Sequence, residues 1–319
     1  MSITRVSSTL TFADRWGSFK VRWGIGRSDY SIEPGLYALG KPSATSPVIV
    51  TANYKLTFDI VRSNLFSLSI YILVLDTKGV NVWCAAGKGT FGTEELIARI
   101  LATELSTVVS HRTIILPQLG AVGVAAHDIQ KTTGFKVVYG PVRIEDMPAF
   151  LQNEMKATPE MREVRFTLKD RLILVPVELV NYVLPALGMI IFLLLISLIH
   201  INGLFLSFNE ARSVMQNIAL AYIGGVVITP VLLPWIPARS FSAKGAIIGF
   251  LLALLFQLFT TPWLFIIPAI SSFLAMNFTG SSTYTSLSGV KKEMRIAVPL
   301  QLTAMILGII WIVLTNIIK

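Results

Sequence analysis

The charged residues are distributed very unevenly along this chain of 319 residues. Only ten of its 45 charged side chains follow residue 172, although nearly half of the chain does. Over the whole chain 53% of residues are hydrophobic, 14% are charged and the mean hydropathy is +0.67, which is too apolar for an ordinary soluble protein. We therefore predict a polar N-terminal arm over 1–45, an α/β domain over 46–172 and a transmembrane domain over 173–319.

The apolar second half predicts five membrane spans. One of its four apolar stretches, 244–278, would form a helix of ~52 Å at about 1.5 Å per residue, which exceeds a hydrocarbon core of ~30 Å. Thr261-Pro262 divides this stretch, because proline removes a helical hydrogen bond and clashes with the preceding turn. The predicted spans are 174–199, 213–235, 244–260, 262–278 and 297–318.

The positions of the basic residues predict the orientation of the spans. If the N-terminal domain is cytoplasmic, the segments on that side carry seven Lys and Arg residues, against two on the opposite side. This bias follows the positive-inside rule. The N-terminus lacks the apolar run of a cleaved signal peptide. We predict a multi-pass protein of the cytoplasmic membrane, with its α/β domain on the cytoplasmic side.

Strand and helix patterns alternate within the first half. The predicted strands are 48–52, 69–75, 113–116 and 135–139, and the predicted helices are 93–104, 121–131 and 145–153. Continuously apolar strands separated by helices favour a parallel sheet covered on both faces. Ligands of such folds bind at the carboxyl ends of the strands, here the loops 76–92, 117–120 and 140–143.

The only cysteine, Cys84, lies in the first of these loops, within the segment NVWCAAGKGT over 81–90. The small residues after it allow a flat ligand to approach the backbone. Lys88 and the start of the following helix favour the thiolate form of Cys84. A small buried hydrophobic residue is the alternative role for Cys84. A single cysteine excludes an intrachain disulfide, a cysteine-ligated zinc site and an iron–sulfur cluster held by this chain alone.

Two other classes of binding protein are excluded by pattern. The glycines at 87, 89 and 92 match the spacing of a dinucleotide-binding loop, but TIILPQ over 113–118 lacks the acidic residue that binds the ribose. The formal net charge of +9 occurs without a basic cluster or an RNA-binding motif, so we predict no nucleic-acid partner.

The cysteine segment NVWCAAGK, over 81–88, resembles the signature of the mercury-methylating corrinoid proteins. The surrounding domain resembles the corrinoid-binding domain of the corrinoid iron–sulfur protein of the acetyl-CoA pathway. That second resemblance is carried by TANYKLTFD over 51–59 and by the segments 115–143 and 156–179, with Val122 standing where proline is expected. The implied fold is a Rossmann-like, parallel-sheet α/β corrinoid-binding domain followed by an α-helical bundle of five spans.

The resemblance implies a corrinoid-dependent methyltransferase that passes a cobalt-bound methyl group, as a carbanion equivalent, to Hg(II). The Cys84 thiolate would be the lower axial ligand of the cobalt and the catalytic residue. The implied cofactor-binding residues are Asn81, Val82, Trp83, Cys84, Ala85, Ala86, Gly87, Lys88, Gly89, Thr90, Gln118, Leu119, Gly120 and Ala121.

The implied partners follow from the same chemistry. Carbanion transfer leaves the cobalt two electrons oxidised, so an iron–sulfur ferredoxin-type electron donor is expected. A methyl-tetrahydrofolate or a methylated corrinoid protein would supply the methyl group, and membrane lipid would surround the spans. Two alternatives stay open: a corrinoid methyl carrier of one-carbon metabolism in the acetyl-CoA pathway, and a membrane transporter with a regulatory domain.

Overall fold

The chain folds into two compact units in a computed structural model that describes residues 3–200, 203–204, 206–258, 260–278 and 287–318. The first unit contains residues up to Val21 together with Ile25–Val164, and the second contains Arg22–Gly24 together with Arg165–Lys319.

A mixed six-stranded sheet forms the centre of the first unit. Its strands are β1 (Thr4–Val6), β2 (Gly35–Leu39), β3 (Val48–Ala52), β4 (Ile70–Leu75), β5 (Thr113–Leu116) and β6 (Lys136–Tyr139), in the spatial order β1-β2-β4-β3-β5-β6. The four predicted strands are confirmed to within a residue, and they pair in parallel. The prediction of a purely parallel sheet is wrong at one edge, because β2 pairs antiparallel with β4.

Helices cover both faces of this sheet, as predicted. They are α1 (Phe12–Arg22), α2 (Lys55–Asn64), α3 (Val82–Lys88), α4 (Thr93–Ala102), α5 (Leu105–Val108), α6 (Ala126–Thr133), α7 (Met147–Gln152) and α8 (Pro159–Arg162). Alternate strand residues enter two different cores: Val50 and Leu73 pack on one face, whereas Ile49 and Ile72 pack on the other. This follows from the two-residue period of a strand.

The predicted helix over 121–131 begins later than expected. Residues Gln118–Gly123 form a 3-10 segment, and α6 starts only at Ala126. Gly120 and Gly123 fall in this segment, and glycine is a poor former of helix interiors.

Most of the predicted N-terminal arm over 1–45 packs within the first unit, and only Arg22–Gly24 belong to the second. It supplies β1, α1 and β2, and an ion-pair cluster ties it to α2. Lys55 Nζ lies 2.5 Å from Asp14 Oδ1 and 2.7 Å from Asp59 Oδ2, and Arg62 Nη2 lies 2.8 Å from a carboxylate oxygen of each aspartate. Burial opposes the ionisation of Asp14, but hydrogen bonds from Lys55, Thr11 and Arg62 outweigh it and lower the pKa of Asp14 well below its usual range. These contacts join distant parts of the sequence, so the local sequence pattern does not reveal them.

The second unit is predominantly helical. Its helices are α9 (Leu168–Ser197), α10 (Phe208–Ile223), α11 (Thr229–Leu232), α12 (Phe241–Leu255), α13 (Trp263–Phe278) and α14 (Leu287–Ile318), with a π-helical segment over Gly224–Ile228 and a short hairpin of β7 (Ile199–His200) and β8 (Gly203–Leu204). The backbones of α12 and α13 approach closely at two glycines. A Cβ on Gly245 would lie 2.4 Å from the Ser271 carbonyl oxygen, and one on Gly249 would lie 2.6 Å from Pro268 Cα.

Three helices of the described chain are long and apolar enough to cross a membrane: Leu168–Ser197, Phe208–Leu232 and Gly289–Ile317. The apolar stretch 244–278 is broken before residue 263, as the proline predicts, into the shorter helices α12 and α13. These have 15 and 16 residues, or about 22–24 Å, which is less than a hydrocarbon core of ~30 Å. The count of exactly five spans therefore stays a prediction. Residue 259, in the predicted span 244–260, lies outside the described residues.

Candidate functional site

The loop between β4 and α3 is held in place by one buried side chain, Asn53. Its Oδ1 accepts hydrogen bonds from Thr77 N at 3.1 Å, from Thr77 Oγ1 at 2.8 Å and from Gly79 N at 3.0 Å. Asn53 lies just after β3, the strand next to β4, and both Asn53 and Thr77 are buried. The loop that leads to Cys84 is therefore anchored to the carboxyl end of the neighbouring strand.

Cys84 lies in a short helix rather than in a loop, and this corrects the prediction of an irregular segment over 76–92. Asn81 is the N-cap of α3, and its side chain accepts a hydrogen bond from Cys84 N at 2.9 Å. Cys84 itself is half-buried. A single helical turn separates Cys84 from Gly87 and Lys88, so the three share a face of α3. A Cβ on Gly87 would meet no atom within 4 Å, which leaves open space on that face.

The predicted cofactor residues divide into two groups by burial. Those at least partly accessible are Asn81, Trp83, Cys84, Gly87, Lys88, Gly89, Thr90, Gln118, Leu119 and Ala121. Those that are buried are Val82, Ala85, Ala86 and Gly120. The buried residues of α3 pack in the core above the sheet and so hold the helix in place, and Ala85 and Ala86 do not face an external ligand. That the accessible residues bind a cofactor stays a prediction.

The segment Gln118–Gly123 packs against the region around α3. Gly120 allows this approach, because a Cβ there would lie 2.6 Å from Phe91 Cε1. Arg162 fixes the other side of the segment. Its Nη1 donates hydrogen bonds to Gln118 Oε1 and to the Gly140 carbonyl oxygen, the latter at 3.0 Å. The loops after β4, β5 and β6 are thus brought together, as expected for the carboxyl edge of a parallel sheet.

Concave surfaces flank α3 on two sides. A hollow of about 380 Å³ is lined by Val82, Trp83 and Leu119, together with residues that follow β5 and β6, among them Pro117 and Arg143. We call it the apolar hollow. Trp83 is 37% exposed at this hollow, which is high for so large an apolar side chain. A second cleft on α3 includes Cys84.

Sequence reasoning missed three residues of this region. Asn53 lies within TANYKLTFD, so the resemblance of that segment was the available signal. Arg162 lies 44 residues from Gln118, and Arg27 lines the second cleft although it is 57 residues from Cys84 in sequence. No local pattern could have indicated these last two contacts.

Among the described residues, no group of three or more His, Cys, Asp or Glu side chains is placed to hold a metal ion. Cys84 is thus a single soft donor at the surface. A single donor suits a metal that arrives with most of its ligands already in place, as in a macrocycle, better than a bare ion.

Comparison with known proteins shows that the first unit is similar to subunits of one enzyme system. A sequence profile of the CO dehydrogenase/acetyl-CoA synthase delta subunit matches residues 25–151. The acetyl-CoA decarbonylase/synthase complex subunit gamma of Methanopyrus kandleri is 35% identical over 130 residues, which are 40% of this chain and 28% of that protein. The corrinoid/iron-sulfur protein large subunit of Moorella thermoacetica is 34% identical over 121 residues, which are 37% of this chain and 27% of that protein.

The likeness is confined to part of each protein. The chain spans about a quarter of the length of the relatives it matches. The profile match ends at residue 151, before α9 begins. The resemblance of the first unit to corrinoid iron–sulfur protein subunits is therefore confirmed, whereas none of these relatives bears on the mercury-methylating family.

Proposed function

We propose that the first unit binds a corrinoid and that the protein is a corrinoid-dependent methyl-transfer protein held at a membrane by its apolar helices. The observation that carries the proposal is the placement of Cys84. It lies partly exposed on α3, at the carboxyl edge of a sheet whose unit is similar to corrinoid/iron-sulfur protein subunits. The corrinoid is the part of the proposal that the relatives support most directly.

The residues around Cys84 fit a flat metal macrocycle. The sulfur is a soft donor on a face where Gly87 leaves open space, and Trp83 is partly exposed beside it. When bound, a corrinoid supplies a cobalt centre that takes up a methyl group from a donor and releases it to an acceptor.

Three residues at the start of α3 have distinct tasks in this proposal. The Cys84 thiolate would hold the cobalt as its lower ligand, and as a strong electron donor it would favour release of a methyl group with its bonding electrons. Asn81 orients the first turn of the helix through its bond to Cys84 N, and Trp83 covers apolar surface of the macrocycle. Because the chain has one cysteine, the electrons for each cycle come from a separate iron–sulfur protein.

Two acceptors of the methyl group are considered, and each is favoured by a different observation. The relatives favour a methyl carrier of the acetyl-CoA pathway, since they are named as subunits of that system. The segment NVWCAAGK over 81–88 favours Hg(II), because it resembles the signature of the mercury-methylating corrinoid proteins and Hg(II) is a soft electrophile suited to a methyl carbanion equivalent. We propose Hg(II) as the acceptor and the methyl carrier as the alternative. In both, the first unit is cytoplasmic, and the methyl donor is a methyl-tetrahydrofolate or a methylated corrinoid protein.

The first experiment tests ligation of cobalt by Cys84. Full-length protein in detergent micelles is loaded anaerobically with a Co(III) corrinoid, and cobalt X-ray absorption spectra are compared between the native chain and Cys84→Ala. We expect a sulfur neighbour at bonding distance that the variant lacks. Identical sulfur-free spectra for two corrinoid-loaded proteins would refute the thiolate role and favour the carrier. A folded protein that binds no corrinoid would refute both and favour a transporter.

The second experiment tests the acceptor. Protein loaded with a methylated corrinoid is mixed with Hg(II) under reducing, anaerobic conditions, and methylmercury is measured by mass spectrometry after one turnover. We expect methylmercury from the native chain in excess over Cys84→Ala and over free corrinoid. An equal yield in all three samples would contradict Hg(II) as the enzymatic acceptor.

A further inference from the structure

A cleft of about 280 Å³ beside Cys84 is lined by three basic side chains, Arg27, Lys78 and Lys88. The rest of its lining contains no acidic side chain: Ser28, Tyr54, Gly79, Val80 and Asn81. We call this surface the basic cleft. It shares Asn81 with the apolar hollow, so α3 separates an apolar surface from a positively charged one.

Main-chain contacts on both sides of the turn Arg27–Asp29 hold this wall of the basic cleft in place. The short 3-10 turn Arg27–Asp29 packs against the loop before α3 at Gly79, where a Cβ would lie 3.2 Å from the Ser28 carbonyl oxygen. Gly79 has φ +69°, a conformation that favours glycine. On the other side of the turn, Lys55 N donates a 2.9 Å hydrogen bond to the Tyr30 carbonyl oxygen. Arg27 is thus held beside Cys84 by main-chain contacts.

Two of the three cations leave positive charge available in the cleft. Lys78 Nζ pairs with Asp76 Oδ2 at 2.5 Å, so its charge is largely balanced. Arg27 donates only a weak hydrogen bond of 3.4 Å to the Val21 carbonyl oxygen. In the part of the chain that the structure describes, no carboxylate forms an ion pair with Arg27 or Lys88. A concave surface with two unbalanced cations and no carboxylate attracts an anion.

We propose that the basic cleft binds the phosphate of the nucleotide tail of the corrinoid. This inference rests on the proposed function, in which the Cys84 sulfur occupies the lower axial position. The nucleotide base that can occupy that position is then displaced, but its tail remains tethered to the macrocycle and carries one phosphodiester charge. Arg27 and Lys88 flank Cys84 and provide the charge-assisted hydrogen bonds that a phosphate requires. The cleft thus holds the displaced tail.

The test compares three corrinoids that differ only in the tail. Cobalamin carries the nucleotide and its phosphate, cobinamide phosphate carries a phosphate without the nucleoside, and cobinamide carries neither. Their dissociation constants are measured by optical titration of full-length protein in detergent micelles, for the native chain and for Arg27→Gln, Lys88→Gln and Arg27→Lys. Lys136→Gln is the matched control, because Lys136 is exposed at the amino end of β6, the opposite edge of the sheet.

We expect the native chain to bind cobalamin and cobinamide phosphate roughly tenfold more tightly than cobinamide, as partly exposed charge pairs are modest in strength. Arg27→Gln and Lys88→Gln each reduce this preference, and Arg27→Gln does so without changing the affinity for cobinamide. Arg27→Lys retains part of the preference, and Lys136→Gln retains all of it. The preference also falls as salt is raised.

The outcomes separate this inference from the function on which it rests. Equal affinity for all three corrinoids, in the native chain and in the variants, overturns the tail site and leaves corrinoid binding intact. Tight binding of cobalamin but not of cobinamide phosphate also overturns it, because the nucleoside and not the phosphate is then recognised. If none of the three corrinoids binds, the proposed function itself fails.

Discussion

Replacing Asn53 with alanine should release the loop that positions Cys84. Asn53 Oδ1 accepts three hydrogen bonds, from Thr77 N, Thr77 Oγ1 and Gly79 N. The Thr77 hydroxyl has one proton, which the Val80 carbonyl oxygen at 2.6 Å can accept instead, so the loss falls on two backbone N–H groups. Thr77 is fully buried, whereas Gly79 is partly accessible to water.

The expected cost follows from these two groups. An unsatisfied buried N–H costs about 1–3 kcal/mol, and water relieves part of the cost at Gly79. We therefore expect the loop over 76–80 to lose about 2–4 kcal/mol of protection against opening. Since 1.4 kcal/mol is a factor of ten, amide exchange in this loop should be roughly 30- to 1000-fold faster.

Hydrogen–deuterium exchange with mass spectrometry measures this in the full-length protein in detergent micelles. Peptides that cover 76–80 should lose protection, whereas those that cover β5 should change little. Asn64→Ala is the matched control, because its side chain makes a single exposed hydrogen bond to the Ile60 carbonyl oxygen. Unchanged exchange over 76–80 in Asn53→Ala, or an equal effect of Asn64→Ala, would refute the anchoring role.

Two further predictions concern the stability of the first unit. Gly120→Ala places a Cβ 2.6 Å from the Phe91 ring and should lower the free energy of unfolding by about 1–3 kcal/mol. The Cβ of Gly87→Ala meets no atom within 4 Å, so this variant should be as stable as the native chain or more stable. Thermal unfolding measures both variants, and equal melting temperatures for the two would contradict the prediction. Because the pKa of Asp14 is lowered in the folded chain, its contribution is present above the ordinary aspartate pKa of about 4 and is lost as the pH falls through the lower folded value. The melting temperature of Asp14→Asn should therefore be below that of the native chain at neutral pH, and the two should become similar only in strong acid. A difference in melting temperature that does not change with pH would contradict the contribution of the Asp14 carboxylate.

The predicted strands of the first unit were confirmed because each is a continuous apolar run with both faces buried. VIVTA over 48–52 and IYILVL over 70–75 are short and rich in β-branched residues, which favours buried strands over helices. The strand β2 was missed because GLYAL over 35–39 is short, begins with Gly35 and follows Pro34. Its partner β4 lies more than 30 residues away, so only the tertiary pairing reveals it.

The candidate site was predicted in its location but not in its local structure. The short helix α3 went unrecognised because it has only seven residues and Gly87 lowers its helix propensity, although Asn81 is a good N-cap residue and Gly89 a good C-cap. Once residues 82–88 are helical, the three- and four-residue spacing of Val82, Ala85 and Ala86 requires one face to be buried. That face could have been predicted only after the helix was recognised.

The single cysteine has a consequence for oxygen chemistry. A partly exposed thiol that forms a sulfenic acid is normally rescued when a second cysteine of the same protein closes a disulfide. Cys84 has no such resolving partner in this chain, so its oxidised sulfur can be capped only by a small thiol or by another molecule, or it proceeds to the irreversible acids. Its protection against oxidation therefore depends on whatever covers α3.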